Sequence, residues 1–511
     1  MVRYEPWLLL PAGVPLVLCE RFPLWAQVAA LAWIVALWLA RRVVKGRWTA
    51  STVLDVPVVA LLLTVPAAAY VAIDRYAALS RAESLVFAMA LAYALANAVH
   101  TPHRAWSAAT WLLVAGLGLA AIGLVSVDWA DKFPVLAPVL ARLPRLIVDV
   151  PHPTLRAAGV HPNSLAALLV LFLPLATTCL LWPAGSRGGK DGQDVTPPRW
   201  IRPIAILSLI VLPPLLILTQ SRGAWLALIV AAVLLVALHR RRLRLLTAAA
   251  AAGGVMAVLA LGPGSLVARL GDPVPASERA SAPASAVDPA TSADPSAAGA
   301  VPAAATARSR AQLWRDALAL LAQRPGTGVG LNTFPLVFGQ KPEYQGRYVY
   351  QGYAHAHNTL LQGALDYGVP GFVALVGLYV ALAWAAWRLH RRCIDTPLDT
   401  LVVGLGVALA AHATHGLFDA LAVGAKPGFV PWAFAGTLAG MRHYAHRWVE
   451  RAGEETRVKR DSRSSRDGSS DPDPLAADTP RATEFARPLC SRTLFSRTRF
   501  AFTCPHPEAR P

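Results

Sequence analysis

Apolar residues fall in long blocks separated by short polar runs. Blocks of the length needed to cross a bilayer core, about 20 residues in helix, lie at roughly 5–19, 23–40, 51–72, 84–100, 105–127, 164–184, 204–219, 223–238, 247–268, 371–387, 398–416 and 428–441. The blocks on either side of Gln220-Ser221-Arg222-Gly223 form a hairpin, because together they exceed one crossing. No small-residue cleavage site follows the first block, so it is expected to be retained as an anchor. The pattern predicts an all-α polytopic transmembrane bundle of about 12 spans.

Charge gives an independent check on these blocks. Basic residues avoid all of them. Arg41, Arg42, Lys45 and Arg47, then Arg104, then Arg187, Lys190, Arg199 and Arg202, then Arg240, Arg241, Arg242 and Arg244, then Arg388, Arg391 and Arg392 occupy alternate short loops. The opposite loops hold only Arg21, Arg75, Arg81, Arg222 and Lys426. The positive-inside rule therefore puts both termini in the cytoplasm. The chain has 511 residues, 48 Lys+Arg against 30 Asp+Glu, a formal charge of +18 and a mean hydropathy of +0.44. Only 15% of residues are charged, against roughly 25% in soluble domains. That excludes a soluble globular enzyme and a disordered chain. Topology accounts for most of the positive charge, so no nucleic-acid partner is implied.

The blocks divide the chain. Residues 1–163 hold the first five spans and an outer loop, and 164–268 hold the next four. Residues 269–370 form a large outer loop, 371–441 hold the last three spans, and 442–511 form a basic, patternless cytoplasmic tail expected to be disordered. Within the outer loop, 272–307 is Ala/Pro/Ser-rich and reads as a flexible linker. Residues 308–323 then show helical periodicity through Leu313, Trp314, Ala317, Leu318, Leu320 and Leu321, and Arg324-Pro325-Gly326 ends that helix. Cys19, Cys179, Cys393, Cys490 and Cys504 are scattered without metal-ligand or redox spacing.

Unusual polar residues gather on the outer side: Asn163, Arg222, Arg310, Arg315, His355, His357, His415 and Asp419. Arg222, at a hairpin tip beside hydrocarbon, is either a snorkelling anchor or an anion clamp, since a guanidinium grips phosphate bidentately and keeps its charge. Arg310, ahead of an amphipathic helix, is in isolation either a solvated arm without a role or a functional group. His355 and His357 form a His-x-His pair without a carboxylate at a confirming spacing. They read as zinc ligands, as a general base for a sugar hydroxyl, or as loop-fastening histidines.

The order of short motifs narrows these choices. Gly159-Val160-His161-Pro162-Asn163-Ser164, Thr219-Gln220-Ser221-Arg222-Gly223, Arg310-Ala311-Gln312-Leu313-Trp314, Pro325-Gly326-Thr327-Gly328-Val329-Gly330, His357-Asn358-Thr359-Leu360 and Asp366-Tyr367-Gly368-Val369-Pro370-Gly371 follow one another around one large loop. This series, over about residues 155–440, resembles the O-antigen ligase/polymerase family of bacterial inner-membrane glycan transferases. The resemblance implies a GT-C-like bundle whose periplasmic face carries an inverting, metal- and cofactor-independent transfer. The donor would be a glycan on undecaprenyl diphosphate and the acceptor most often lipid A–core, with a growing polysaccharide or a protein as alternatives. It assigns Arg222 and Arg310 to the donor diphosphate and His357 to the acceptor hydroxyl. Asn163, Trp314, His355, Asn358, Asp366, His415 and Asp419 take supporting places. His161-Pro162-Asn163 stands where the family often has Asn-Pro-Asn, and Asp366 where it often has Glu. A reading of another class, a transporter or flippase, fits the span number but would place its polar groups near the bilayer midplane.

Overall fold

A computed structural model describes residues 4–127, 129, 161–181, 197–239, 303–340, 355–394 and 396–442. Among them the secondary structure is helical, with no strand. In chain order the helices are α1 (Glu5–Val17), α2 (Leu24–Lys45), α3 (Asp55–Tyr70), α4 (Arg75–Ala98), α5 (Pro102–Ser126), α6 (Pro162–Leu181), α7 (Ile201–Thr219) and α8 (Arg222–His239). Then follow α9 (Ala303–Gln323), α10 (Phe334–Gln340), α11 (Thr359–Cys393), α12 (Pro397–Gly416) and α13 (429–442). Seven of them (α2, α4 to α7, α11 and α12) are long and apolar enough to cross a membrane, and α1, α3 and α8 are shorter apolar helices. The chain is a multi-pass membrane protein. The expected span at 247–268, residues 272–302 of the linker, residues 341–354 of the outer loop and the tail beyond 442 lie outside the described residues. The last five linker positions, 303–307, are helical instead of flexible, because their alanines extend α9 by more than a turn.

Helix α12 packs on α6, α8 and α11, α6 packs on α7, and α11 lies along α3. On the other side α1 packs on α2 and α4, and α5 on α6 and α7. Their buried faces form one continuous apolar core, with Phe172 stacked edge-on to Phe434 and Phe87 to Phe429. Glu5 and Arg41, both buried, form an ion pair that ties the start of α1 to the end of α2. A carboxylate and a guanidinium out of water need such a partner.

Two of the helix boundaries that differ from the apolar pattern bear on the site. Helix α4 begins at Arg75, well before the apolar block at 84, because the Asp74 side chain accepts a hydrogen bond from the Ala77 N–H and caps it. Its polar first turns cover other protein, so Ala78, Glu83 and Ser84 are buried and hydrophobicity does not mark them. Helix α11 starts at Thr359, inside what the pattern assigns to the outer loop. Its axis breaks at Gly368 (φ 73°, ψ −178°), a conformation open to glycine, before continuing through the expected span. A Cβ at 368 would lie 2.4 Å from the Gly326 carbonyl oxygen. The break thus receives the 326–330 turn, where Val329 N–H bonds the Leu365 carbonyl at 2.8 Å and Val369 N–H bonds that of Pro325 at 2.8 Å.

Candidate functional site

The site forms at the bundle end where α6, α8 and α11 begin and α7 and α12 finish. Its centre is the short segment 355–358 ahead of α11. The Asn358 side chain accepts from the Leu360 and Leu361 N–H groups at 3.0 Å each, capping α11, and donates to the Leu417 carbonyl at 3.2 Å. Ala356 is held from both sides: its N–H donates to Gln362 Oε1 at 2.8 Å, and its carbonyl accepts from Trp314 Nε1 at 2.8 Å. Trp314 comes from α9, whose Leu313, Ala317 and Leu320 make a small core with Val329, Phe334 and Leu365. With both neighbours fixed, His357 sits at φ 48°, an uncommon conformation for a residue with a Cβ.

That conformation aims the His357 ring at Asp419. Nδ1 lies 3.0 Å from Asp419 Oδ1, and His355 Nε2 lies 3.8 Å from the same oxygen. Oδ1 also accepts the Ala420 N–H at 2.9 Å, while the buried Oδ2 has no partner among the described residues. Burial pushes the Asp419 carboxyl up. The His357 hydrogen bond and the charges of His355, His357 and His415 more than offset it, so its pKa lies well below the usual carboxylate range. His355 is held neutral. Burial, with the charges of His357, His161 and Arg81, outweighs the attraction of Asp419 and brings its pKa down to about 4. An ionised carboxylate only accepts hydrogen bonds, so the His357 proton sits on Nδ1 and Nε2 is the basic nitrogen.

The other edge is the α7–α8 turn. Gln220 takes φ 51°, which closes α7, and Ser221 Oγ lies 3.3 Å from His415 Nε2. His415 precedes Asp419 by one turn, its carbonyl accepting the Asp419 N–H at 3.0 Å. A Cβ at Gly223 would touch the His415 ring at 3.5 Å. Arg222 is thereby held at the rim, exposed at the first position of α8. Arg310, on α9, is half-buried and close enough for its charge to act on His415. Asn163 is half-buried at the start of α6, its N–H 3.2 Å from His161 Nδ1.

Asp366 stands apart from these groups. It is fully buried under the 326–332 turn, with Oδ1 accepting from Gln362 Nε2 at 2.9 Å and Oδ2 without a partner among the described residues. Its position suits fastening the loop, one step behind Ala356 through Gln362. The sequence also passes over Arg81. Helix α4 carries it to the loop, where it bonds Asn332 Oδ1 and its charge reaches both His355 and Asp366. Nothing in its local pattern separates it from the other outer basic residues.

His355, His357 and Asp419 each offer one ligand atom within 4.8 Å of the others. The carboxylate missing from the sequence spacing thus arrives from 62 residues away. The same three residues thus suit two arrangements, a divalent ion or a hydrogen-bonded His–Asp dyad.

Residues 205–376 match the sequence model of the family described as O-antigen ligase. That stretch contains the α7–α8 turn, Arg310, Trp314, both loop histidines and Asp366. It ends before His415 and Asp419, which complete the site from α12 and the turn after it. No curated protein matches the chain.

Proposed function

We propose, from the match of residues 205–376 to the O-antigen ligase family, that the protein transfers a glycan from undecaprenyl diphosphate to an acceptor hydroxyl, lipid A–core in the first instance. His357 acts as general base. Its Nε2 takes the acceptor proton as the acceptor oxygen bonds to the anomeric carbon of the donor sugar. The anomeric C–O bond to phosphate breaks on the opposite face, inverting that carbon, and the electron pair leaves on undecaprenyl diphosphate. Asp419 orients the ring and stabilises the imidazolium that forms. Arg222 and Arg310 bear the charge growing on the leaving diphosphate.

The hydrogen bond of 3.0 Å between His357 Nδ1 and Asp419 Oδ1, one turn from the His415–Ser221 contact that seats Arg222, carries this reading. A base and an anion clamp at one bundle end suit a substrate that is part sugar and part membrane lipid. With both termini cytoplasmic, this end faces the periplasm of the inner membrane. The polar groups sit at a bundle end and not at mid-span, which favours transfer over transport.

The test is transfer in vitro from a lipid-linked glycan, with wild-type, Arg222→Ala, Arg310→Ala and His357→Ala proteins. Lipid A–core, a second lipid-linked glycan and a pilin-type protein serve as acceptors. Each variant should lose nearly all transfer at normal protein levels. Product on lipid A–core marks a ligase, elongated lipid-linked glycan a polymerase, and glycosylated protein an oligosaccharyltransferase. Transfer by His357→Ala at the wild-type rate would exclude the base. Loss of transfer with chelator, restored by a divalent ion, would replace the dyad with a metal centre.

A further inference from the structure

The opposite end of the bundle holds a second built feature. Between α1, α4, α5 and α13 lies a cavity of about 480 Å³, within the range of roughly 300–1,000 Å³ typical of small-molecule sites. Its walls are apolar, from Phe172 at the core to Leu95 and Trp111, and Trp111 is braced edge-on against Trp7 at 4.7 Å. At the end where α1 begins, α4 finishes and α5 begins, the lining turns polar with Tyr4, His103 and Arg104. Arg104 Nη1 sits 3.3 Å from His100 Nδ1. Arg104 therefore puts a positive charge at this mouth, and Lys45 lies near enough for its charge to act on His100 as well.

An apolar pocket with a cationic mouth complements an amphiphile with an apolar chain and an anionic head. We propose that the cavity is a binding site for an anionic phospholipid of the leaflet opposite the candidate active site. One acyl chain lies along Leu95, Trp111 and Phe172, and the phosphate lies against Arg104 and His103. The bound lipid joins the N-terminal helices α1 and α5 to α13, filling space that these helices leave between them. This inference is independent of the transferase reading, since the cavity shares no residue with that site.

The full-length protein is reconstituted in nanodiscs of equal palmitoyl-oleoyl phosphatidylglycerol and phosphatidylcholine, and retained lipid is measured by native mass spectrometry. The wild type should retain phosphatidylglycerol in preference. Arg104→Gln should lower that preference about fivefold, a loss of about 1 kcal/mol for one basic contact. Arg388→Gln, a basic change outside the cavity, should leave it unchanged. Ser107→Trp fills the polar half and Ala115→Leu narrows the apolar half; each should reduce retained lipid while the protein stays monodisperse. Equal retention of both lipids by the wild type would overturn the proposal. So would wild-type retention in Arg104→Gln, in both cavity variants, or equal thermal protection by glycerol phosphate alone, which has no chain to bury.

Discussion

Replacing Asp419 with Asn separates charge from shape at the proposed dyad. The Asn oxygen can still accept from His357 Nδ1 and from Ala420 N–H, so ring orientation and the turn survive. What disappears is the negative charge beside an imidazolium. With the two charges roughly 3–4 Å apart and an effective dielectric of about 20, full ring protonation gains about 4–5 kcal/mol from the carboxylate. A transition state with the proton half transferred realises about half of that, or roughly 2 kcal/mol. The side chains are 18% and 6% exposed, so screening lowers it only modestly. Asp419→Asn should therefore lower kcat about 10- to 100-fold, with little change in KM for the donor. Initial rates of transfer to acceptor across donor concentrations, on protein of unchanged size-exclusion profile, measure it. A kcat within about twofold of wild type would refute the role of Asp419. A loss as complete as that of His357→Ala would show that the substitution had collapsed the loop.

Other consequences follow from the same geometry. His355 titrates near 6.5 when unfolded and near 4 when folded, so the unfolded chain binds the extra proton between those values. Its contribution to stability is complete above pH 6.5 and is lost as pH falls to 4, by at most about 3 kcal/mol; His355→Gln should flatten the thermal midpoint over that window, and equal slopes in both proteins would contradict this. Gly368→Ala must place a Cβ 2.4 Å from the Gly326 oxygen at a positive φ. It should cost about 3 kcal/mol or more in unfolding, whereas Gly377→Ala, whose nearest neighbour is Pro57 at 4.0 Å, should stay within about 0.5 kcal/mol. Trp314→Phe removes the hydrogen bond to Ala356 and should destabilise by about 1 kcal/mol, with kcat falling more than KM in the transfer assay.

The helices were legible where burial and hydrophobicity coincide, as along α6, whose apolar residues are almost all inside. The pattern blurred where polar residues face protein, as in the first turns of α4, and where a glycine breaks an otherwise continuous α11. At the candidate site, motif order drew Arg222, Arg310 and His357 to attention. The Asp419 contact was illegible, because a pairing across 62 residues leaves no local spacing. The sequence marks Asp419 as an outer polar residue with a supporting place but not as the partner of His357, and Arg81 as one of the few basic residues in outer loops. Both gain meaning from helix packing, which a one-dimensional pattern does not contain.

The route by which Asp419 reaches His357 bears on when the protein becomes competent. Ribosomal synthesis delivers the α7–α8 turn first, then His357, then Asp419 only after α11 and α12 have been made. Under the proposed function, a nascent chain still lacking α12 would present its arginines and imidazole to the donor without the carboxylate that fixes the ring. Competence is therefore gated by completion of the bundle. On the proposed mechanism an unfinished chain would turn over slowly until α12 is in place.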